Sequence, residues 1–257
     1  MSSSGAIGAS GASNGERERT SAVIYREVGI VLRTMRLGEA DRIVTIVTQD
    51  RGKVRAVAKG VRKTKSRFGG RLEPLMHVAL QCYEGRNLDT ITQAETIDHF
   101  RAIREDLDRL SRATQLLEVI DAIVQEGEED PRLYQMLLGA LRTLESSDSP
   151  LVVPAFFWKL LAHVGFRPIL DECASCGTTD DLVAFDLVEG GTLCRGHARG
   201  TRVTPDALDL LRRILGGDLV SVLAEPPTQA GYEVEHLATR AIEHHLERRM
   251  KSVGVLD

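Results

Sequence analysis

Four residues within a 25-residue stretch have the types and spacing of a metal site. Cys173 and Cys176 sit two residues apart in CASCG, and Cys194 and His197 repeat that spacing in LCRGH, with seventeen residues between the pairs. Zinc takes four sulfur or nitrogen ligands in a tetrahedron, and two short knuckles can supply them from two turns. Gly177 and Gly196 suit the tight turns that aim thiolates at one ion. Between the knuckles, DLVAFDLVEGGTL reads as a hairpin turning at Gly190-Gly191, the layout of a zinc ribbon. Four protein ligands close the shell and leave no position for a catalytic water, so the expected role of Zn2+ is structural. The alternatives are a surface role for His197, which leaves a three-thiol site, or a metal-free hairpin held by packing alone. The fourth cysteine, Cys82, stands alone in an alternating apolar segment and reads as a buried small hydrophobe.

The second constellation is charge. Residues 51–72 hold nine cations and no carboxylate: Arg51, Lys53, Arg55, Lys59, Arg62, Lys63, Lys65, Arg67 and Arg71. The whole chain carries a formal −4, so without this segment the other 235 residues would carry −13. Lys53, Arg55 and Lys59 share one face of a strand, while Val54, Ala56 and Ala58 face inward. From Arg62 to Arg71 the chain reads as a long Gly-flexible loop. A charged barrel face beside a mobile cationic loop fits a phosphate backbone. A basic solvated loop is the bland reading, and a membrane surface or an acidic protein tail could also answer such a patch. Phe68 is the sole aromatic in the loop, placed either to stack a base or to pin the loop to the barrel.

No P-loop, no GxGxxG after a strand and no HExxH occurs in the chain, and nothing in the pattern pairs a nucleophile with a base. His244 and His245, beside Glu243 and Glu247, read as a solvated helix face. The expectation is a binding protein, not an enzyme.

The elements that must position these residues are legible from periodicity. The chain has 257 residues, 42% apolar and 27% charged, in the ordinary range of globular proteins. Residues 1–20 read as a disordered tail of Ser, Gly and Ala without the apolar core of a secretory signal. No apolar run approaches a membrane span, and with no export signal a cytoplasmic location is expected. Segments 28–37, 41–50, 52–61, 74–85 and 88–97 alternate as strands. Five short strands without a helix in 21–98 suggest an OB-type barrel, although an SH3-like barrel or small sandwich has the same count. Beyond Phe100 the spacing turns helical, with cap-plus-proline starts at Asp130-Pro131 and Thr204-Pro205. The expected fold is α+β and multidomain: a five-stranded OB-type β-barrel, an α-helical domain over 99–170 and 200–257, and a zinc-ribbon-like insert at 171–199.

Several stretches together resemble the bacterial RecO family of DNA repair and recombination proteins. The most specific are GEADRIVTIVTQDRGKVRAVAKGVRKTKSRFGGRLEP (38–74) and YEGRNLDTITQAE (83–95), followed by the GG…LC lead-in to the second knuckle. The resemblance spans about 21–250. It implies a protein that binds single- and double-stranded DNA and anneals complementary strands. Such proteins work with RecR, in some systems with RecF, and help RecA load onto DNA coated by single-stranded-DNA-binding protein (SSB), whose C-terminal tail they contact. Carried over by position, the DNA face would comprise Arg42, Lys53, Arg55, Lys59, Arg62, Lys63, Lys65, Arg67 and Arg71. The metal would fall to Cys173, Cys176, Cys194 and His197, with His in place of the Cys common in zinc-bearing members. An acidic tail ending in apolar residues would want an apolar groove rimmed by cations, expected near Trp158, Lys159, His163 or Arg212 and Arg213. The alternatives are an RNA- or ribosome-associated OB plus zinc-ribbon protein, and a zinc hydrolase, against which four protein ligands argue.

Overall fold

A computed structural model describes residues 23–246. The expected tail over 1–20 and the end of the last helix lie outside the described residues. Strands β1 (Ile24–Leu37), β2 (Asp41–Thr48), β3 (Lys53–Ala58), β4 (His77–Tyr83) and β5 (Asp89–Asp98) close into a barrel in the order β1-β2-β3-β5-β4. Closure excludes the sandwich. The one parallel pairing, Ala56 with Asp89 and Val57 with Thr90, is the Greek-key crossover of an OB-type barrel. β1 is long enough to serve two neighbours: its first half pairs with β4 and its second with β2.

Alternation fills the barrel with Val31, Val44, Ile46, Ala56, Ala58, Val78, Leu80, Cys82 and Ile91, so Cys82 is the buried hydrophobe its setting suggests. The 59–76 connection is not a free loop. Phe68 (1% exposed) and Leu72 from this connection join the barrel core and close one end. Of the two roles open to Phe68, the structure selects the anchor.

The helices are α1 (Arg101–Glu105), α2 (Leu107–Ile123), α3 (Pro131–Ser146), α4 (Val152–His163), α5 (Pro205–Gly216), α6 (Leu219–Ala224) and α7 (Gln229–Leu246). Asp106, Asp130 and Thr204 cap α2, α3 and α5 by accepting from Arg109, Leu133 and Ala207 backbone N–H groups. α4 is apolar nearly all round and therefore becomes the central helix, packed by α3, α5 and α7. A small sheet forms from the insert and the residues just after it: β6 (Leu182–Asp186), β7 (Gly191–Cys194) and β8 (Thr201–Arg202). Phe185 sets its ring edge-on to Trp158 at 5.6 Å, so the insert leans on the helical core.

The barrel and helices share buried surface. Ile30, Leu32 and Val47 point out of the barrel into the helical core. At this seam buried His77 on β4 meets the Tyr134 hydroxyl of α3 at 2.8 Å. Burial, then the nearby Arg142, holds the His77 pKa below its ordinary value, so the neutral imidazole is favoured.

The tightest approach is at the β2–β3 turn. Gly52 has φ +63°, and a Cβ there would lie 1.8 Å from the Glu128 carbonyl oxygen. Gly60 has a similar φ of +68° but would meet only the Lys63 side chain, at 3.6 Å. Gly52→Ala should therefore cost about 2–4 kcal/mol in denaturant unfolding, from backbone strain plus overpacking. Gly60→Ala should cost only about 1 kcal/mol, the strain alone. Equal losses would show that the seam gives way freely.

Candidate nucleic-acid interface and metal centre

The structure divides the sequence-predicted cations into two groups. Of those on the outer face of β3, Lys53 reaches α2 and Arg55 the connection between α2 and α3. Lys53 Nζ donates to the Asp121 carbonyl at 2.8 Å and lies 3.5 Å from its carboxylate, while Arg55 sits 3.3 Å from Glu126. Arg33 on β1 adds a 2.6 Å pair with Asp121. Arg42 pairs with Glu73 at 2.5 Å. Arg62 donates to the Glu39 carbonyl at 2.8 Å, and Arg71 to the carbonyls of Arg67 and Phe68. Carbonyl partners hold these two guanidinium groups in place without neutralising them.

Lys59, Lys63, Lys65 and Arg67 are exposed and have no acidic partner among the described residues. Arg67 lies over the Phe68 ring at 4.8 Å, so the anchor that closes the barrel also steadies this cation. The Arg62 N–H bonds the Ala40 carbonyl, and the Gly60 N–H bonds Asp41 Oδ1, so the basic connection is tied to the β1–β2 hairpin. That hairpin contributes an exposed cation which loop composition alone missed. Arg36 stands directly across from Arg42 in the strand register. Its signal was the hairpin itself: the Gly38 turn fixes which residues face each other. The acids Asp121 and Glu126 gave no local signal, since they lie 68 and 71 residues from the cations they engage.

The two knuckles converge. The Sγ atoms of Cys173, Cys176 and Cys194 and one ring nitrogen of His197 lie within 4.8 Å of one another. Cys176 Sγ to Cys194 Sγ is 3.9 Å, and His197 Nδ1 is 3.9 Å from Cys173 Sγ and 3.4 Å from Cys194 Sγ. Tetrahedral zinc with ordinary Zn–S and Zn–N bonds needs edges of about 3.5–3.8 Å, so this donor set fits a metal ion. The first knuckle is shaped by Gly177 at φ +75°, whose N–H bonds the Cys173 carbonyl at 2.8 Å. Gly196 differs from expectation. It lies in a short 3-10 turn, Arg195–His197, outside the left-handed region, so no conformational demand selects glycine there.

A cleft of about 590 Å³ opens beside the insert, lined by Trp158, Phe166, Arg167, Ile169, Val188 and His245 among others. Phe166 and Ile169 are exposed, and the His245 ring packs edge-on to Phe166 at 4.1 Å, so this histidine is not simply solvated. Of the residues expected to rim an apolar groove, Arg212 and Arg213 are committed to Asp171 and to Asp218 and Glu225, and His163 to Asp130. Trp158 is 2% exposed, so its neighbours provide most of the surface it was expected to offer.

No described helix is long and apolar enough to cross a membrane. Residues 23–100 match the family described as Recombination protein O N terminal, and residues 104–253 match Recombination protein O C terminal. The chain is also 43% identical over 249 residues to the DNA repair protein RecO of Nocardioides sp., covering 91% of this chain and 100% of that protein. With its OB-type barrel, helical region and Cys3His cluster, this chain belongs to the RecO family of DNA repair proteins.

Proposed function

We propose that this protein is a non-enzymatic recombination mediator of the cytoplasm and nucleoid. It binds and anneals single-stranded DNA, also contacts duplex DNA, and works with RecR, and with RecF where present, to help RecA load onto SSB-coated strands. The observation that carries the reading is the array Lys59, Lys63, Lys65 and Arg67, exposed, without acidic partners and fixed to the barrel through Phe68. Arg36, Arg62 and Arg71 extend it, and Arg42 borders it. Lys53 and Arg55 contribute to the field but are held chiefly by the helices.

The metal in this reading is a structural Zn2+ held by Cys173, Cys176, Cys194 and His197. It fixes the turn of the small sheet against the helical core. The SSB tail, acidic and ending in apolar residues, is assigned to the cleft floored by Phe166 and Ile169. There Arg167 has no acidic partner among the described residues.

The charge assignment is tested by anisotropy of a labelled single strand across a salt series. Lys59→Glu, Lys63→Glu and Arg67→Glu combined should weaken binding and flatten the log–log salt slope by about 2, the share of three phosphate contacts on a single strand. Lys53→Met should lower unfolding stability by about 1–3 kcal/mol while leaving most of the slope intact. A folded triple variant with unchanged slope would move the DNA elsewhere. Tighter binding to structured RNA than to single-stranded DNA would favour the RNA- or ribosome-associated alternative.

For the metal, the purified chain should carry about one zinc by elemental analysis. Cys176→Ser should lose it and lower the melting temperature, and His197→Cys should keep it. A metal-free wild type with an unchanged melting temperature after chelation would refute the structural role.

For the tail, a synthetic SSB C-terminal peptide titrated calorimetrically should bind about ten-fold more weakly to Ile169→Asp or Arg167→Glu. Affinity for naked DNA should be the same in both variants. Peptide binding unaffected by either change would empty this cleft of that role.

A further inference from the structure

A row of outward-facing side chains crosses the barrel beside the cationic array. Directly paired residues on neighbouring strands share a face of the sheet. Tyr83 on β4 pairs with Ile24 on β1 and with Thr90 on β5, and Thr90 pairs with Val57 on β3. Their chain neighbours Tyr25, Cys82, Ile91 and Ala56 are buried in the barrel, so this row faces out. Ile24 is 52% exposed and Tyr83 40%, while Thr90 and Val57 are half-buried beside them. The Tyr83 side chain has no hydrogen-bond or ring partner among the described residues.

Scattered exposed apolar residues are normal on a protein surface. This row is contiguous, and its rim is cationic. Lys59 follows Val57 just past the end of β3, and exposed Arg86 follows Tyr83 in the β4–β5 turn, while Arg55, two residues before Val57, is held by Glu126. On β5, Thr92 lines a cleft of about 350 Å³ together with Gln93 and Glu95, with Arg67 and Arg71 of the basic connection also in its lining. Three strand spacings, about 14 Å of arc around the curved barrel wall, separate Ile24 from Val57, with Tyr83 and Thr90 as immediate neighbours between them.

We propose that Tyr83 is a base-stacking platform for single-stranded nucleic acid. Thr90 and Val57 form the floor beside it, and Lys59, Arg67 and Arg86 hold the flanking phosphates. This rests on the nucleic-acid reading of the barrel. It adds a source of preference that charge cannot supply, because a duplex keeps its bases stacked inside while an unpaired strand offers their faces. Base–aromatic stacking is sequence-tolerant, since every base has a π-face.

The test is anisotropy at one fixed salt concentration with a labelled oligothymidylate and an abasic strand of equal length. Tyr83→Ala and Tyr83→Leu should weaken oligothymidylate binding about five- to hundred-fold and leave abasic binding unchanged. Tyr83→Phe should retain wild-type affinity for both, and a melt of each variant excludes misfolding. In Tyr83→Trp the new indole should be quenched by oligothymidylate and not by the abasic strand, against a constant signal from Trp158, the chain's only native tryptophan and 2% exposed. If Tyr83→Leu binds oligothymidylate as wild type does and the indole is not quenched, stacking at Tyr83 is overturned. If the Lys59, Lys63 and Arg67 charge reversals still weaken binding to both strands, the DNA surface itself stands. If the wild type binds neither strand, the nucleic-acid reading falls first and this one with it.

Discussion

Ile30, Leu32 and Val47 lie on barrel strands, yet they face away from the barrel interior and into the helical core. That outward burial decides much else. A barrel of this type often offers its β2–β3 face to a ligand, but here the face is partly taken by α2 and α3. Lys53 and Arg55 follow from it: cations on an occupied face are satisfied by Asp121 and Glu126 instead of by phosphate. The exposed charge is displaced to the β1–β2 hairpin and the connection that runs beneath the barrel. Gly52 is the steric counterpart, because the approach of the 126–128 segment leaves no space for a side chain. The seam combines buried apolar surface, a buried His77–Tyr134 hydrogen bond and three ion pairs, and the apolar part supplies most of its strength, since partly exposed pairs contribute little.

The cysteine insert depends on the same core from the other side. Its hairpin is short, and a two-stranded hairpin alone is marginal in water. Two supports compensate: the edge-on contact of Phe185 with Trp158, and the backbone bonds that Ile169 exchanges with Gly190 and Thr192. The four ligand atoms thus converge at the outer end of a platform already held by packing. Cys173 and Cys194 are buried, whereas Cys176 and His197 are exposed, so one side of the site faces solvent.

Local pattern made most of the architecture readable. Five alternating segments became five strands, and the Asp130-Pro131 and Thr204-Pro205 starts became capped helices because those signals act within a few residues. The metal cluster was readable for the same reason, since spacing within each knuckle is enforced by the turn. The short helices α1 and α6, with five and six residues, carry too little periodicity to stand out. Charge composition located the basic segment but not its division into paired and free cations, which depends on acids some seventy residues away. The looseness expected of residues 62–71 was also misjudged. Glycine and lysine suggested mobility, but Phe68 and Leu72 found a closed barrel end to fill, which only the finished fold supplies.

That plug links two quantities that are usually separate. Phe68 and Leu72 sit in the barrel core while Lys63, Lys65, Arg67 and Arg71 stand on the same short connection. Displacing the connection far enough to scatter its cations means drawing an aromatic ring out of the barrel. Any ligand that engages the cations in their native positions therefore weights the population toward the sealed barrel, and a loosened seal lowers the fraction of molecules whose charges are correctly spaced. The fit of the barrel's stopper and the affinity of the surface outside it are thus one thermodynamic variable read in two ways.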